Sequence, residues 1–142
     1  MSVTLILKGK SRDIFSLPPD HTIAEAVRTL AEKRIGAVLI TAKDGSLAGI
    51  LSERDVVRAL AQDGAAALDH PVSRHMTAKV ETAHESDTIP RMMERMTTGK
   101  FRHLPVVEEG KVVGIISIGD VVKYRLAEME AETQAMRDYI TA

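Results

Sequence analysis

Apolar positions fall along this chain in two successive passes of one pattern. Ile23, Val27, Leu30 and Ala31 share a face of a 3.6-residue period, which predicts a helix. Thr22-Ile23-Ala24-Glu25 has capping-box spacing at its start, and Gly36 is placed to end it. Ala37-Val38-Leu39-Ile40 is a near-continuous apolar run, as expected of a strand covered on both faces. The Asp-Gly pair in Lys43-Asp44-Gly45-Ser46 predicts a hairpin turn. Leu47 to Leu51 then returns as a strand, and Ser52 opens the next helix.

The second pass repeats this with other side chains. Ile89, Met92, Met93 and Met96 make a helical stripe that reads as deformable core, and Gly99 is placed to stop that helix. Leu104 to Val107 and Lys111 to Ile116 read as strands around a Glu109-Gly110 turn. The polar residues recur too. Asp20-His21-Thr22-Ile23 returns as Ser86-Asp87-Thr88-Ile89, and Gly49-Ile50-Leu51-Ser52-Glu53-Arg54-Asp55 as Gly114-Ile115-Ile116-Ser117-Ile118-Gly119-Asp120. A duplicated unit of this kind is expected to fold as a pseudo-twofold pair and to build its sites at the seam between the copies. The expected class is α/β (α+β), with a first repeat over 1–66, a second over 67–127 and a helical extension over 128–142.

Between the passes, the Ala-rich stretch from Asp63 to Leu68 reads as a helix end plus connector, and Pro71 to Thr77 as one helical turn. In the extension, Val122, Leu126, Met129, Thr133, Met136 and Ile140 step alternately by four and three, a heptad seam. That seam fits a helix lying on its own domain and a helix from a second subunit equally well.

Composition narrows the function. Aromatic residues make up 3% of the chain and the net charge is -1, which speaks against base-stacking or backbone-driven nucleic-acid binding. Cysteine is absent, so thiol chemistry and thiolate metal sites are out. The run Val3 to Leu7 is too short for a signal core or a membrane span, and a cytoplasmic protein is expected. Gly9-Lys10-Ser11 fails as a P-loop because Thr4 stands where the first glycine belongs. Gly114 lies one residue too far from Ser117 for a nucleophile elbow. His21, His70, His75, His84 and His103 include no pair at i, i+4, so spacing gives no reason to expect a metal.

What remains is the repeated Gly-apolar-apolar-Ser-x-x-Asp. Singly, each Ser-x-x-Asp is a helix cap. Its recurrence after the same strand, at a helix N-terminus that suits phosphate, with a carboxylate suited to a ribose diol, points to a nucleotide site. Arg102 and His103 add positive charge at the entry of the second-pass strand, where the first pass has uncharged Gly36 and Ala37. The two half-sites are therefore not equivalent.

These motifs, with Arg102-His103-Leu104-Pro105-Val106-Val107, resemble tandem cystathionine-beta-synthase (CBS) domains, together a Bateman module. The resemblance implies two β-α-β-β-α repeats packed with pseudo-twofold symmetry, and a homodimer. It implies a regulatory sensor, without catalytic activity, for an adenosyl ligand such as AMP, ADP, ATP, NAD or S-adenosylmethionine, with no metal. By the same resemblance Asp55 and Asp120 hold ribose; Ser52, Ser117, Arg54, Arg102 and His103 lie on the phosphate side. Gly36, Ala37, Val38, Thr77, Val80, Leu104 and Pro105 wall the adenine. IMP dehydrogenase activity, found in an enzyme that contains such a module, is not expected without its barrel and cysteine. The rival reading is a structural homodimerisation module with empty clefts. The regulated target is not legible.

Overall fold

The computed structural model describes residues 2–9 and 14–141. The elements run α1 (Val3–Lys8), β1 (Ser16–Leu17), α2 (Ile23–Lys33), β2 (Ala37–Thr41), β3 (Leu47–Ser52) and α3 (Glu53–Asp63). A 3-10 turn over Gly64–Asp69 and α4 (Val72–His75) follow, then α5 (Ile89–Gly99), β4 (His103–Glu108), β5 (Lys111–Ser117) and α6 (Ile118–Thr141). Two compact units result. One is Ile14–Val80; the other joins the segment carrying α1 to the chain from Glu81 onward. The expected boundary at residues 66 and 67 differs from this division in two places. The stretch carrying the 3-10 turn and α4 stays with the first unit because Thr77 pairs its backbone with Ile50 of β3. Helix α1 joins the second because Val3, Ile6 and Leu7 are buried among Met92, Leu104, Ile116 and Val121.

In the first unit the strand order is β1-β2-β3, with β1 parallel and β3 antiparallel to β2. Thr22 caps α2 by accepting the Glu25 amide at 3.2 Å. The Glu25 carboxylate is engaged by His21 at 2.8 Å rather than closing a capping box. Ile23, Ala26 and Leu30 are the buried positions of α2; Ala31, expected on that face, is exposed. They pack with Val38, Ile40, Leu51, Val56 and Val72. The helix ends at Lys33, three residues before Gly36. Arg34 takes the left-handed conformation at φ 54, and the Ile35 amide reaches back to the Leu30 carbonyl at 3.1 Å. That is a Schellman closure, and Ile35 packs on the core as such closures favour.

The second unit repeats the plan. Ile89, Met92 and Met96 are the buried stripe of α5, and Lys100, not Gly99, is the left-handed cap at φ 56. The β4–β5 hairpin turns through Glu109 and Gly110, both at positive φ, as a primed two-residue turn requires. Both hairpins shift register at matching places, between Ile40 and Thr41 and between Val106 and Val107. The counterpart of β1 shrinks to one parallel bridge, Ala83 to Val106. In α6 only Val121 is buried, so the seam from Val122 to Ile140 is exposed. Among the described residues no helix is long and apolar enough to cross a membrane.

Candidate functional site

Each hairpin delivers its chain into a helix through the repeated serine and aspartate. In the first unit Ser52 caps α3: its Oγ accepts the Asp55 amide at 3.2 Å, and its own amide donates to Asp55 Oδ2 at 2.9 Å. In the second unit the Ser117 Oγ accepts the Asp120 amide at 3.1 Å, and the Ser117 amide donates to Asp120 Oδ2 at 2.9 Å. The two reciprocal pairs agree to within about 0.1 Å, far tighter than the scatter of ordinary hydrogen bonds. The capping role expected of each motif is therefore real in both units.

Strand entry is matched too. Ala37 lies opposite Ser52 and His103 opposite Ser117 in the hairpin registers. The Gly36 carbonyl accepts the Glu53 amide at 3.0 Å, and the Arg102 carbonyl accepts the Ile118 amide at 2.8 Å. The fold thus brings Gly36 and Ala37 beside Ser52, and Arg102 and His103 beside Ser117. Arg54 and Arg102 are exposed and His103 is half-buried.

The carboxylates sit in different surroundings. Asp55 is 9% exposed, the one buried charged side chain among the described residues. Its Oδ2 also accepts the Ser52 hydroxyl at 3.1 Å, and its Oδ1 lies 3.4 Å from the Thr77 hydroxyl. Thr77 is therefore placed on the Asp55 carboxylate, a contact 22 positions apart in sequence that no local pattern announces. Val80 is half-buried. Asp120 is half-buried.

Alternation along the strands sorts the expected adenine wall. Val38 and Leu104 belong to the cores of their units. Ala37, Leu39 and Pro105 are buried outside those cores, on the opposite sheet faces. In the second unit that face carries Pro105; in the first it carries Ala37 and Leu39, the residue that the sequence reading missed. Strict alternation from Val38 was the signal for it, hidden because every position of that run is apolar.

The motif glycines serve packing. A Cβ on Gly49 would stand 2.8 Å from the Thr77 carbonyl, and one on Gly114 2.6 Å from Leu7 Cδ2. Each glycine lets a neighbouring segment lie against the strand that feeds the junction.

Two copies of a small α/β unit, each with a serine-aspartate pair locking the strand-to-helix junction, define a tandem-repeat protein. The family model for the CBS domain matches residues 10–62 and 72–127, and the chain belongs to that family. It is similar to the CBS-domain protein ATU1752 from Agrobacterium tumefaciens, at 48% identity, covering 88% of this chain and 99% of that one with a TM-score of 0.86. It is similar to CBS-domain protein PAE2072 from Pyrobaculum aerophilum, solved with AMP, at 32% identity, covering 94% and 99% with a TM-score of 0.79. It is also similar to the CBS domain pair of protein MJ0100, solved with 5-methylthioadenosine and S-adenosyl-L-methionine, at 27% identity, covering 90% and 98% with a TM-score of 0.80. Curated relatives run longer: the chain spans 68% of one CBS-domain protein of Arabidopsis thaliana at 35% identity, and 22% of two others.

Proposed function

We propose that this CBS-domain pair is a regulatory, non-catalytic module that binds the adenosine part of a small ligand at its strand-to-helix junctions. Asp55 and Asp120 accept the ribose hydroxyls in this reading. The observation that carries it is the reciprocal lock between serine and aspartate, repeated in both units. A carboxylate held by the backbone at a helix N-terminus is oriented before any ligand arrives, so binding spends little on ordering it. A carboxylate has about four acceptor sites, and the cap amide takes one in each unit. On Asp55 the Ser52 and Thr77 hydroxyls take two more, so a diol binding there would displace those hydroxyls. The ligands of the related structures support the same view. AMP carries a phosphate and 5-methylthioadenosine does not, so adenine and the ribose with its 2',3'-diol are what they share.

The two junctions take different ligands within this reading. Arg102 and His103 put cationic and hydrogen-bonding groups at the second junction, with the Ser117 hydroxyl beside them, which suits AMP, ATP or NAD. The first junction has Gly36 and Ala37 there and only exposed Arg54 on the helix, and its Ser52 hydroxyl proton is already given to Asp55. It suits adenosyl groups with less charge. Ala37 and Leu39 supply apolar surface for a base at the first junction, and Pro105 supplies it at the second.

The exposed seam of α6 favours a homodimer as part of this reading.

Isothermal titration with AMP, ATP, NAD and S-adenosylmethionine tests the function. At least one should bind with a Kd of micromolar order. Asp120→Asn keeps an oxygen for the Ser117 amide but loses the anion, and hydrogen bonds to a charged group are each worth about 1.5–3 kcal/mol, so affinity should fall about tenfold or more. Unchanged affinity in Asp120→Asn and Asp55→Asn would remove the ribose assignment. No binding by any member of the panel would leave the structural homodimerisation module standing, and ATP turnover on long incubation would overturn the non-catalytic reading.

A further inference from the structure

Asp63, His70 and His75 converge in the first unit, well away in sequence from the serine-aspartate motif. His70 Nδ1 lies 2.9 Å from His75 Nε2, and Asp63 Oδ2 lies 3.8 Å from each of those nitrogens. A triangle with these sides has its centre about 2.1 Å from every corner, which is the bond length of Zn²⁺ to imidazole nitrogen and to carboxylate oxygen. We propose that Asp63, His70 and His75 form a binding site for a borderline divalent cation of the Zn²⁺ type.

A hydrogen-bonded imidazole pair accounts for the nitrogen–nitrogen contact but leaves the carboxylate 3.8 Å from both nitrogens. The rings lie within 16° of parallel with centroids 5.2 Å apart, so the two nitrogens face each other nearly head-on, and binding a cation requires each ring to turn toward Asp63. A cation at the common centre engages all three donors. Two imidazoles and one carboxylate select Zn²⁺, Ni²⁺ or Cu²⁺ over Mg²⁺ and Ca²⁺, which favour all-oxygen shells.

The backbone holds these donors in place without a ligand. The His70 amide closes the 3-10 turn onto the Ala67 carbonyl at 3.1 Å, and the His70 carbonyl accepts the Ile23 amide at 2.9 Å. His75 rides on α4, which is pinned by fully buried Val72 and by the Val72 amide bonded to the His21 carbonyl at 2.7 Å. Asp63 is the last residue of α3. Side-chain exposure rises from 8% at His75 to 35% at Asp63, so the cluster is open on the carboxylate side, where a cation enters and water completes its shell. Bound there, the cation ties the end of α3 to α4, the helix that leads into Met76 and Thr77.

The test uses the full chain without a histidine tag, stripped with chelator. Zn²⁺ titration should show one ion per chain, and Co²⁺ should give visible bands of a four- or five-coordinate site. Zn²⁺ should also raise the Tm, because it binds the folded state alone. His70→Gln, His75→Gln and Asp63→Asn should each lower affinity by more than the ~10–100-fold that loss of an outer-shell partner brings. His84→Gln, at a residue outside the cluster, should change nothing. Asp63 is the most exposed of the three, so Asp63→Asn decides the matter if a histidine variant fails to fold. Equal Zn²⁺ affinity in wild type and Asp63→Asn, or a Co²⁺ spectrum of the hexahydrate only, would overturn the site.

Discussion

Replacing Gly49 by alanine should be among the more damaging single-methyl changes in the first unit. The new Cβ would lie 2.6 Å from Met76 Sδ and 2.8 Å from the Thr77 carbonyl oxygen, against a comfortable separation of about 3.5–4.0 Å. The methionine can swing away, since it has three rotatable bonds. The carbonyl cannot. It accepts the Ile50 amide at 3.0 Å while the Thr77 amide donates to the Ile50 carbonyl at 2.9 Å. Relief must therefore lengthen or break both bonds, at about 0.5–1.5 kcal/mol each, on top of an overpacking cost of about 1–3 kcal/mol. A gain of about 0.5–1 kcal/mol for alanine over glycine in a strand offsets part of this.

The net loss is about 3 kcal/mol, or more than about a hundredfold in the folding constant. Gly114→Ala is the internal comparison. Its Cβ meets the end of the Leu7 side chain rather than a backbone group, so the strain can relax and the loss should stay under about 1 kcal/mol. Urea unfolding of the two variants measures both losses from shifts in midpoint at constant m-value. Adding Met76→Ala to Gly49→Ala should recover less than about 0.5 kcal/mol, because the carbonyl contact remains. If Gly49→Ala loses no more stability than Gly114→Ala, the backbone argument is wrong.

Two further outcomes are expected. Hydrogen bonds from the Ser46 hydroxyl and amide hold the Asp44 carboxyl below its ordinary 3.8. Its stabilisation of the β2–β3 turn is thus full above the unfolded pKa and fades as pH falls through the lowered value; an NMR titration should find the depressed pKa, and Ser46→Ala should bring it back toward normal. The α6 seam leaves Leu126 54% and Ile140 74% exposed, so light scattering should give twice the chain mass and Leu126→Glu should reduce it; a mass that ignores the substitution would sink the homodimer.

Local repetition carried most of what could be read from the sequence. Ser52–Asp55 and Ser117–Asp120 are contacts three residues apart, so their spacing alone dictated the reciprocal hydrogen bonds found in both units. The hairpins were legible for the same reason, through Asp44-Gly45 and Glu109-Gly110. Helix ends were misplaced because glycine was taken as the stop, whereas Arg34 and Lys100 take the left-handed conformation. Arg34 has a Schellman bond beside it, and each is followed by a residue, Ile35 or Phe101, that packs on the core of its unit. Long-range partners were not legible. Helix α1 depends on bonds from Val3 and Thr4 to Asp87 and Glu85, Thr77 on a strand met 27 positions earlier, and His70 and His75 on a 3-10 turn that breaks helical spacing. The all-apolar runs of β2 and β4 hid which positions face the core, so Val38 and Leu104 looked as available as Ala37 and Pro105.

Capping and ligand binding are not competing explanations of the serine-aspartate pair. A cap needs one carboxylate oxygen on a backbone amide, and in both units that oxygen is Oδ2. A ribose diol needs a carboxylate fixed in direction, which the cap supplies at no further entropic cost. The difference between the units then lies in what surrounds the fixed group. In the proposed reading, Thr77 and low exposure bias Asp55 toward a neutral diol, while Arg102 and His103 bias the second junction toward an anion. Adenosine and AMP, titrated separately into Asp55→Asn and Asp120→Asn, should therefore rank in opposite order, with AMP hurt more by Asp120→Asn. The same ranking in both variants would mean that the strand-entry charges do not reach the ligand.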